Sequence, residues 1–244
     1  MAAKDGLLTE YMVDETLPTG VCAVLITNND RSMVTDLLAA NAYKVDHLKT
    51  PKIWSLVEKA TCFYVGGYFL TVSPPSAMLI AEHALAKGKP FTLNLSAPFI
   101  PEFFKEPLMA LIPFTDVLFG NETEAQSFGK SLGYETSDLK AIAKKVSELP
   151  KSNSKPRIVV FTQGSQETIV ATGGQITCFP IIPLAKEKIV DTTGAGDAFT
   201  GGFLSQYLLN EPIDKCVAAG NYVACQVIQR DGPSYPNEPH SFKF

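Results

Sequence analysis

Short apolar runs that read as β-strands alternate with helical segments along most of this chain. Three such runs are Phe91–Leu95, Asp116–Gly120 and Arg157–Thr162, and stretches with helical periodicity separate them. Strands joined by helical crossovers run parallel, and a parallel sheet needs helices on both faces because its strands are buried on both sides. The alternation therefore predicts a three-layer α/β/α fold with a mostly parallel sheet, in which ligands bind beyond the carboxyl ends of the strands.

Turn and capping residues locate the other elements. Strands are predicted at Val21–Thr27 and Cys62–Gly67, and a hairpin near the end of the sheet at Thr168–Pro180. Helices are predicted from Ser73 to Gly88, from Pro101 to Ile112, from Asn121 onward and around Asp138–Leu149. No linker rich in proline, glycine or serine divides the sequence, so we expect one domain over residues 1–244.

Composition excludes several classes of function. The 244 residues are 45% apolar and carry a net charge of −4 without a run of lysine or arginine, so we expect no nucleic-acid partner. No stretch approaches the roughly 18 uninterrupted apolar residues of a membrane span, and the first residues lack the apolar core of a signal peptide. The five cysteines include no C-x-x-C pair, which favours reduced thiols. We therefore expect a cytoplasmic protein without a membrane partner.

The segment IVDTTGAGDAFTGGF, Ile189–Phe203, contains four glycines inside or beside a predicted helix. Each should cost about 1 kcal/mol relative to alanine in a helix interior. Thr192 or Thr193 can cap this helix, which follows a strand-like EKIV, and its first turn then contains Gly194–Gly196. Backbone N–H groups in that turn face outward without side chains in front of them. The segment predicts an anion-binding hole, and a tightly packed helix with a capped start is the alternative.

Asp197 follows at the same helix end, where the helix dipole stabilises negative charge. An acid beside an otherwise bare anion hole is harder to explain by a structural role. We expect Gly201 and Gly202, one turn further on, to let the helix lie close against the sheet. Two other phosphate-binding motifs are excluded. Gly129–Ser131 resembles the end of a Walker A motif, but Glu124 stands where that motif needs its first glycine. The segment GAGDAF supplies only two of the three glycines of G-x-G-x-x-G.

Four segments, DTTGAGDAFTGGFL, FTLNLSAPFI, FGNETEA and FTQG, together resemble the ribokinase-like, or PfkB, family of carbohydrate and nucleoside kinases. Within that family the chain is most similar to the members that phosphorylate adenosine. This similarity extends along the chain from about PTGVCAVLIT to PNEP. The resemblance implies a ribokinase-like fold in which about residues 18–36 contribute to a small β lid. It also implies ATP as co-substrate, Mg²⁺ as cofactor, adenosine as acceptor, a monomer when complete, and a nuclear as well as a cytoplasmic location.

The resemblance assigns the catalytic and phosphate-binding residues. The amides of the glycine-rich turn stabilise the transferring phosphoryl group and the acid beside them is the base, which implicates Gly194, Ala195, Gly196 and Asp197. In this family the residues matching Asn121 and Glu124 organise Mg²⁺-bound water around the ATP phosphates. Their spacing also fits a helix capping box, and the two roles can coexist. Thr162 and Gly164 are expected to border ATP, unless FTQG is an ordinary strand exit, and Arg31 to fold over the phosphates, unless it is a surface arginine.

The nucleoside site is assigned in the same way. Aromatic side chains beyond strand ends can stack on a purine, which implicates Phe69 and Phe99, although core packing is the plain alternative for both. Apolar lid positions over the nucleoside match Cys22, Met33 and Leu37, which can equally be core residues. Thr193 belongs to the same site, but sugar kinases of the family carry threonine there and many adenosine-phosphorylating members carry asparagine. A sugar therefore stays open as the alternative acceptor.

Family members begin with strands that carry an N-P-x-x-D-like segment and a Gly-Gly motif, which hold the ribose hydroxyls. This sequence starts after them, so we expect it to be N-terminally incomplete relative to the family and to lack the principal ribose clamp. Expressed alone, residues 1–244 are then expected to be aggregation-prone, with at most trace adenosine phosphorylation and weak Mg·ATP binding. A catalytically silent fragment that binds nucleotide or a partner is the third interpretation.

Overall fold

The computed structural model describes residues 2–27 and 30–236, and two β-sheets organise this part of the chain. The smaller sheet contains β1 (Val21–Thr27) and β2 (Asp30–Asp36). The larger sheet contains β3 (Phe63–Gly66), β4 (Phe91–Asn94), β5 (Val117–Asn121), β6 (Ile158–Gln163), β7 (Gln166–Thr172) and β8 (Gln175–Phe179). Its strand order follows the sequence, with β3 to β6 parallel and β7 and β8 antiparallel.

The helices of the described residues lie between and after these strands. They are α1 (Val45–Leu48), α2 (Pro51–Lys59), α3 (Pro74–Ala86), α4 (Phe99–Phe103), α5 (Lys105–Leu111), α6 (Glu122–Ser131), α7 (Leu139–Ser147), α8 (Ala195–Tyr207) and α9 (Ile213–Val227). Short 3₁₀ turns cover Ala2–Asp5, Leu38–Ala42, Gly67–Thr71, Ile112–Phe114 and Lys186–Lys188. None of the helices in the described ranges is long and apolar enough to cross a lipid bilayer.

Neighbouring residues of each central strand point into two separate cores, because successive side chains of a strand face opposite sides of the sheet. Leu118 and Val159 pack in the larger core with α3, α5, α6 and α7. Phe119 and Val160 pack in the smaller core, where Phe203 of α8 and residues of α9 cover the sheet. The three-layer α/β/α architecture with a mostly parallel sheet, which the sequence predicts, is confirmed.

Strands β1 and β2 form an antiparallel hairpin whose described side chains are exposed. The predicted strand Val21–Thr27 is therefore present, with β2 as its partner. The segment before β1 is tied to the main body by an ion pair between Glu10 and Lys52 at 2.8 Å and by His47, whose Nε2 lies 3.1 Å from the carbonyl oxygen of Glu10. The role of residues 18–36 as a lid remains a prediction.

Two predicted elements differ from the structure. The helix predicted over Pro101–Ile112 is two short helices, α4 and α5, because the backbone at Phe104 leaves the helical region with φ −118° and ψ 32°. The strand-like EKIV is not a strand: it contains a 3₁₀ turn, and the N–H of Val190 donates to the carbonyl of Ile228 at 2.9 Å. Its backbone therefore pairs with the end of α9 and not with a sheet.

Arg157 anchors the end of the molecule that carries the amino ends of the parallel strands. Its side chain is 1% exposed, and its guanidinium donates to four carbonyl oxygens at 2.6–2.9 Å, those of Ile112, Val146, Leu149 and Pro150. Most of these carbonyls stand at or just beyond the carboxyl ends of α5 and α7, where helices leave carbonyls without partners. Burial lowers the pKa of Arg157 to about 10, so the side chain stays charged at neutral pH.

Candidate active site

A cavity of about 440 Å³ opens at the carboxyl ends of the parallel strands, in front of the first turn of α8. This is the position at which open α/β sheets bind ligands. Nine of the residues predicted for the site line it: Met33, Asn121, Glu124, Thr162, Thr193, Gly194, Ala195, Gly196 and Asp197. The structure thus brings together residues from β2, β5, β6 and the start of α6 and α8.

Helix α8 begins after Gly194, whose backbone is left-handed with φ +77°. A side chain at this position would be strained, and its Cβ would lie 2.8 Å from the Cβ of Pro233. The N–H of Ala195 donates to the carbonyl of Thr192 at 3.2 Å, whereas the N–H groups of Gly196 and Asp197 have no acceptor among the described residues. Space in front of Gly196 is open to at least 4 Å, so these amides can bind an anion.

The predicted cap by Thr192 or Thr193 is wrong, because no side chain caps α8. Instead, the carboxylate of Asp191 holds the loop: its Oδ1 accepts the N–H of Thr193 at 2.8 Å and the Thr193 hydroxyl at 2.7 Å. Its Oδ2 accepts the N–H of Gly232 at 3.2 Å. Asp191 therefore fixes the turn before α8 to the segment that follows α9, and sequence reasoning did not assign it this role.

Asp197 lies in the first turn of α8 with an exposed side chain that borders the cavity. Further along, a Cβ on Gly202 would meet the carbonyl oxygen of Ala219 at 2.6 Å, while one on Gly201 would meet nothing within 4 Å. The expectation that both glycines let α8 approach the sheet is wrong. Only Gly202 is needed for a close approach, and its partner is α9.

Asn121 and Glu124 form a complete capping box at the start of α6. The Oδ1 of Asn121 accepts the N–H of Glu124 at 2.9 Å. In return, the two carboxylate oxygens of Glu124 accept the N–H and the side-chain amide of Asn121 at 3.0 and 2.8 Å. Glu124 is 6% exposed, and burial raises its pKa, with smaller contributions from the charges of Glu122 and Asp197. The carboxylate nevertheless borders the cavity, so a cap and a role toward ligand are both open to it.

Two further residues predicted for the phosphate site occupy different positions. Thr162 pairs with Asn121 across β5 and β6 and lines the cavity. Gly164 lies in the turn between β6 and β7 with φ +54° and is not among the residues that line it. The side chain of Arg31 lies outside the described part of the structure.

Neither aromatic residue predicted for the nucleoside site, Phe69 or Phe99, is among the residues that line the cavity. Tyr68 does line it, and its ring centroid lies 5.9 Å from that of Phe99. We refer to the rings of Tyr68 and Phe99 as the aromatic wall. Phe69, one residue further, packs against the core, and its ring meets that of Tyr43 at 5.3 Å. Because Gly67–Thr71 is a 3₁₀ turn, consecutive side chains point in different directions, and the sequence alone does not give the phase of that turn.

The predicted lid residues reach the cavity unequally. Met33 of β2 lines it. Cys22 stands opposite Thr35 in the hairpin, and its sulfur accepts the Thr35 hydroxyl at 3.4 Å. Leu37 follows β2 and is 37% exposed. Neither Cys22 nor Leu37 is among the residues that line the cavity.

Tyr64, Asn94 and Ser96 also line the cavity and were not singled out from the sequence. Tyr64 lies in β3, Asn94 ends β4 and Ser96 follows it, and the side-chain amide of Asn94 donates to the Tyr64 hydroxyl at 3.2 Å. Asn94 and Ser96 belong to FTLNLSAPFI, and their position at and just after the end of an apolar strand is the sequence signal that could have identified them as site residues. All five cysteines are free, and the described residues contain no group of three or more histidine, cysteine or carboxylate side chains that could hold a metal ion.

Comparison with known proteins identifies the family. A model of the pfkB family of carbohydrate kinases matches residues 1–240. The chain belongs to this family. As a PfkB kinase it is 51% identical over 239 residues to adenosine kinase 2 of Arabidopsis thaliana, covering 98% of this chain and 69% of that protein.

Solved structures agree with this assignment. Adenosine kinase of Anopheles gambiae, in complex with P1,P4-di(adenosine-5) tetraphosphate, matches this PfkB kinase with a TM-score of 0.93 and 43% identity, over 97% of this chain and 71% of that one. Adenosine kinase of Schistosoma mansoni in complex with 2-fluoroadenosine matches with a TM-score of 0.92 and 34% identity, over 97% and 70% of the two chains. The chain thus spans about 70% of the length of these relatives.

Proposed function

We propose that this PfkB kinase is an adenosine kinase, which transfers the γ-phosphoryl group of ATP to the 5′-hydroxyl of adenosine and yields AMP and ADP. The observation that carries the proposal is the position of Asp197 at the start of α8, in one cavity with the open amide of Gly196 and with Glu124. The relatives that carry the name adenosine kinase at 34–51% identity support a nucleoside as the acceptor.

Asp197 acts as the base toward the 5′-hydroxyl in this proposal. Phosphoryl transfer passes through a loose transition state with little early bond formation to the nucleophile, so a weak base in the correct position is sufficient. Gly194, Ala195 and Gly196 form the turn that faces the transferring group, and the N–H of Gly196 has no acceptor among the described residues. Preorganised N–H donors of this kind stabilise negative charge that develops in the transition state.

Magnesium fits the residues of the cavity. Mg²⁺ keeps several water ligands and is usually held by one or two carboxylates together with substrate phosphates. Glu124 and Asp197 supply carboxylates at the cavity, and the absence of a larger ligand cluster in the described ranges agrees with a mainly water-coordinated ion. We assign Glu124, oriented by Asn121, to the water around that ion. When bound, Mg²⁺ neutralises charge on the β- and γ-phosphates.

The remaining ATP contacts are assigned to Thr162, Gly164 and Arg31. Thr162 lies at the end of β6, beside Asn121, and lines the cavity, and this position supports its assignment to ATP. Gly164 follows in the next turn and can reach a nucleotide that extends over the ends of β6 and β7. Arg31 is assigned by family resemblance alone.

The nucleoside is assigned to the side of the cavity that β3 and β4 form. Tyr68, which lines the cavity, and Phe99, whose ring lies 5.9 Å from that of Tyr68, offer aromatic rings on which a purine can stack, and Met33 lines the cavity from β2. Thr193 lines the same cavity beside the base, where a ribose would reach it. Cys22, Leu37 and Phe69 complete the predicted set, and they act at most through the residues that line the cavity.

The choice of acceptor tests the proposal directly. The purified chain is incubated with Mg·ATP and either adenosine or a panel of sugars that includes ribose and fructose, and ADP is measured by a coupled assay. We expect adenosine to give a higher kcat/KM than every sugar. A preference for a sugar, which Thr193 would favour, refutes the nucleoside assignment. ATP binding without any acceptor-dependent ADP formation supports the nucleotide-binding fragment.

The cellular setting belongs to the same proposal. Five free cysteines and the absence of a bilayer-spanning helix among the described residues support a protein of a reducing compartment, which we take to be the cytoplasm, with the nucleus as a second location. We take the complete enzyme to be a monomer. Fractionation of cells and light scattering of the purified protein test these two statements.

A further inference from the structure

The exits of β3 and β4 are joined at the cavity by hydrogen bonds that involve Ser96. The N–H of Gly67 donates to the Ser96 hydroxyl oxygen at 2.8 Å, so this bond crosses from one strand exit to the other. The N–H of Ser96 donates to the side-chain oxygen of Asn94 at 3.0 Å, and the Asn94 amide donates in turn to the Tyr64 hydroxyl. We refer to Gly67, Asn94 and Ser96 as the exit latch.

Ser96 adopts a backbone conformation that serine rarely takes. Its φ is +64°, and of the three non-glycine residues with positive φ in the described ranges it alone lines the cavity. The N–H of Ala97 donates to the carbonyl of Leu95 at 2.8 Å, which closes a tight turn around it. Strained backbone of this kind persists where the surroundings hold it in place, and it concentrates at ligand sites.

Gly67 has no space for a side chain. A Cβ there would lie 2.5 Å from the carbonyl oxygen of Leu95 and 2.7 Å from that of Asn94. The two strand exits therefore approach each other backbone to backbone, and the bond from Gly67 to Ser96 lies in this contact. A shift of either exit would break the bond or the packing.

Each exit leads directly to one ring of the aromatic wall. Tyr68 follows Gly67, and Phe99 stands three residues after Ser96, with 5.9 Å between the two ring centroids. We propose that Ser96 is a positioning residue for the nucleobase, because its hydroxyl fixes the two strand exits that carry Tyr68 and Phe99. This inference rests on the proposed adenosine site and assigns Ser96 no contact with the reacting atoms.

Two substitutions at Ser96 test the inference. Ser96→Ala removes the hydroxyl and leaves the left-handed backbone strained, whereas Ser96→Gly removes the hydroxyl and adopts φ +64° without strain. Both leave the N–H of Gly67 without its acceptor. We expect adenosine to bind about three- to tenfold more weakly to both variants in calorimetric titrations, the range that one lost hydrogen bond gives. The affinity for Mg·ATP should stay within about twofold.

Ser147→Ala is the matched control. The Ser147 hydroxyl oxygen also accepts a glycine N–H across two elements, that of Gly174 at 3.0 Å, but at the end of α7, outside the cavity. This variant should lose a similar amount of thermal stability and keep the adenosine affinity of the wild type. Wild-type adenosine affinity in folded Ser96→Ala and Ser96→Gly would overturn the inference, and so would equal weakening in Ser147→Ala.

A nuclear magnetic resonance measurement separates this inference from the proposed function. If the wild type binds no adenosine, the proposed function is refuted. The role of Ser96 in holding the two strand exits is then tested on the protein without ligand. We expect Ser96→Gly to accelerate amide hydrogen exchange at Gly67 by about fivefold or more, as one lost hydrogen bond allows, and to weaken the cross-peak between the rings of Tyr68 and Phe99. Unchanged exchange and an unchanged cross-peak would show that Ser96 does not position the wall.

Discussion

Replacement of Glu124 by glutamine separates the two roles that this side chain can have, helix cap and ligand for metal-bound water. The glutamine carbonyl can still accept one of the two bonds from Asn121, at 2.8 and 3.0 Å, but its NH₂ group cannot accept the other. One lost bond to a charged group is worth about 1.5–3 kcal/mol, and removal of a buried charge offsets part of it. We expect a net loss of about 1 kcal/mol at neutral pH, or about 2–4 °C in Tm for a chain of this size.

The Mg²⁺ requirement of Glu124→Gln should change far more than its stability. Loss of a group that orients metal ligands typically weakens metal binding about 10- to 100-fold, so the Mg²⁺ concentration that half-saturates ATP binding should rise about tenfold or more. ATP titrations at a series of Mg²⁺ concentrations measure it, and scanning calorimetry without nucleotide measures Tm. Glu122→Gln removes a charge from the same helical turn and is the control. A lower Tm with a wild-type Mg²⁺ requirement would show that Glu124 is a cap only.

The pH dependence of stability provides an independent check on Glu124. Burial raises the pKa of its carboxyl in the folded state above the ordinary value of 4.5, so the folded chain binds this proton more tightly than the unfolded chain does. The stability that the proton contributes is complete below pH 4.5 and is lost as the pH rises through the raised pKa. Glu124→Gln lacks this contribution, so its deficit in unfolding free energy relative to the wild type should shrink across that window.

The structure gives the direction of the effect for four further substitutions. Asp197→Asn should lower kcat by about 10²- to 10⁴-fold with unchanged ATP affinity, and near-normal turnover would remove Asp197 as the base. Gly202→Ala should destabilise the fold by about 1–3 kcal/mol through the Ala219 carbonyl, while Gly201→Ala should stabilise it by up to about 1 kcal/mol. Equal effects in chemical denaturation would contradict the α8–α9 contact. Arg157→Leu leaves four carbonyls without their donor, so chemical denaturation should show a loss of about 3–5 kcal/mol in the free energy of unfolding. An unchanged free energy of unfolding would show that water replaces the guanidinium.

The sequence predicts those elements whose ends carry their own local chemistry. Helix α6 begins after Asn121 because a capping box needs only residues three apart, and α7 begins after Asp138, whose side chain accepts the N–H of Lys140 at 3.0 Å. The hairpin of β7 and β8 and the central parallel strands follow from apolar runs between turns. Such signals act within a few residues, so they can be read without the fold.

Features that depend on distant contacts were not predictable in this way. The start of α8 is held by Asp191 through Gly232, which is 41 residues away, so a threonine cap was the natural local choice. Gly202 approaches α9 and not the sheet, which depends on how two helices pack. Between Tyr68 and Phe69, only the phase of a 3₁₀ turn decides which ring enters the cavity.

The proposed reaction divides the cavity between neighbouring strands. The aromatic wall follows β3 and β4, whereas the groups assigned to phosphate and metal follow β5 and β6 and the start of α8. Neighbouring strands lie about 4.8 Å apart, so the three steps from β3 to β6 span about 14 Å. A nucleoside must therefore be held at one end of this distance to react at the other. Reacting atoms must approach to about 3–3.5 Å, and small displacements of the substrate slow transfer strongly. The exit latch at Ser96 therefore bears on the position of the 5′-hydroxyl relative to Asp197, even though it touches neither.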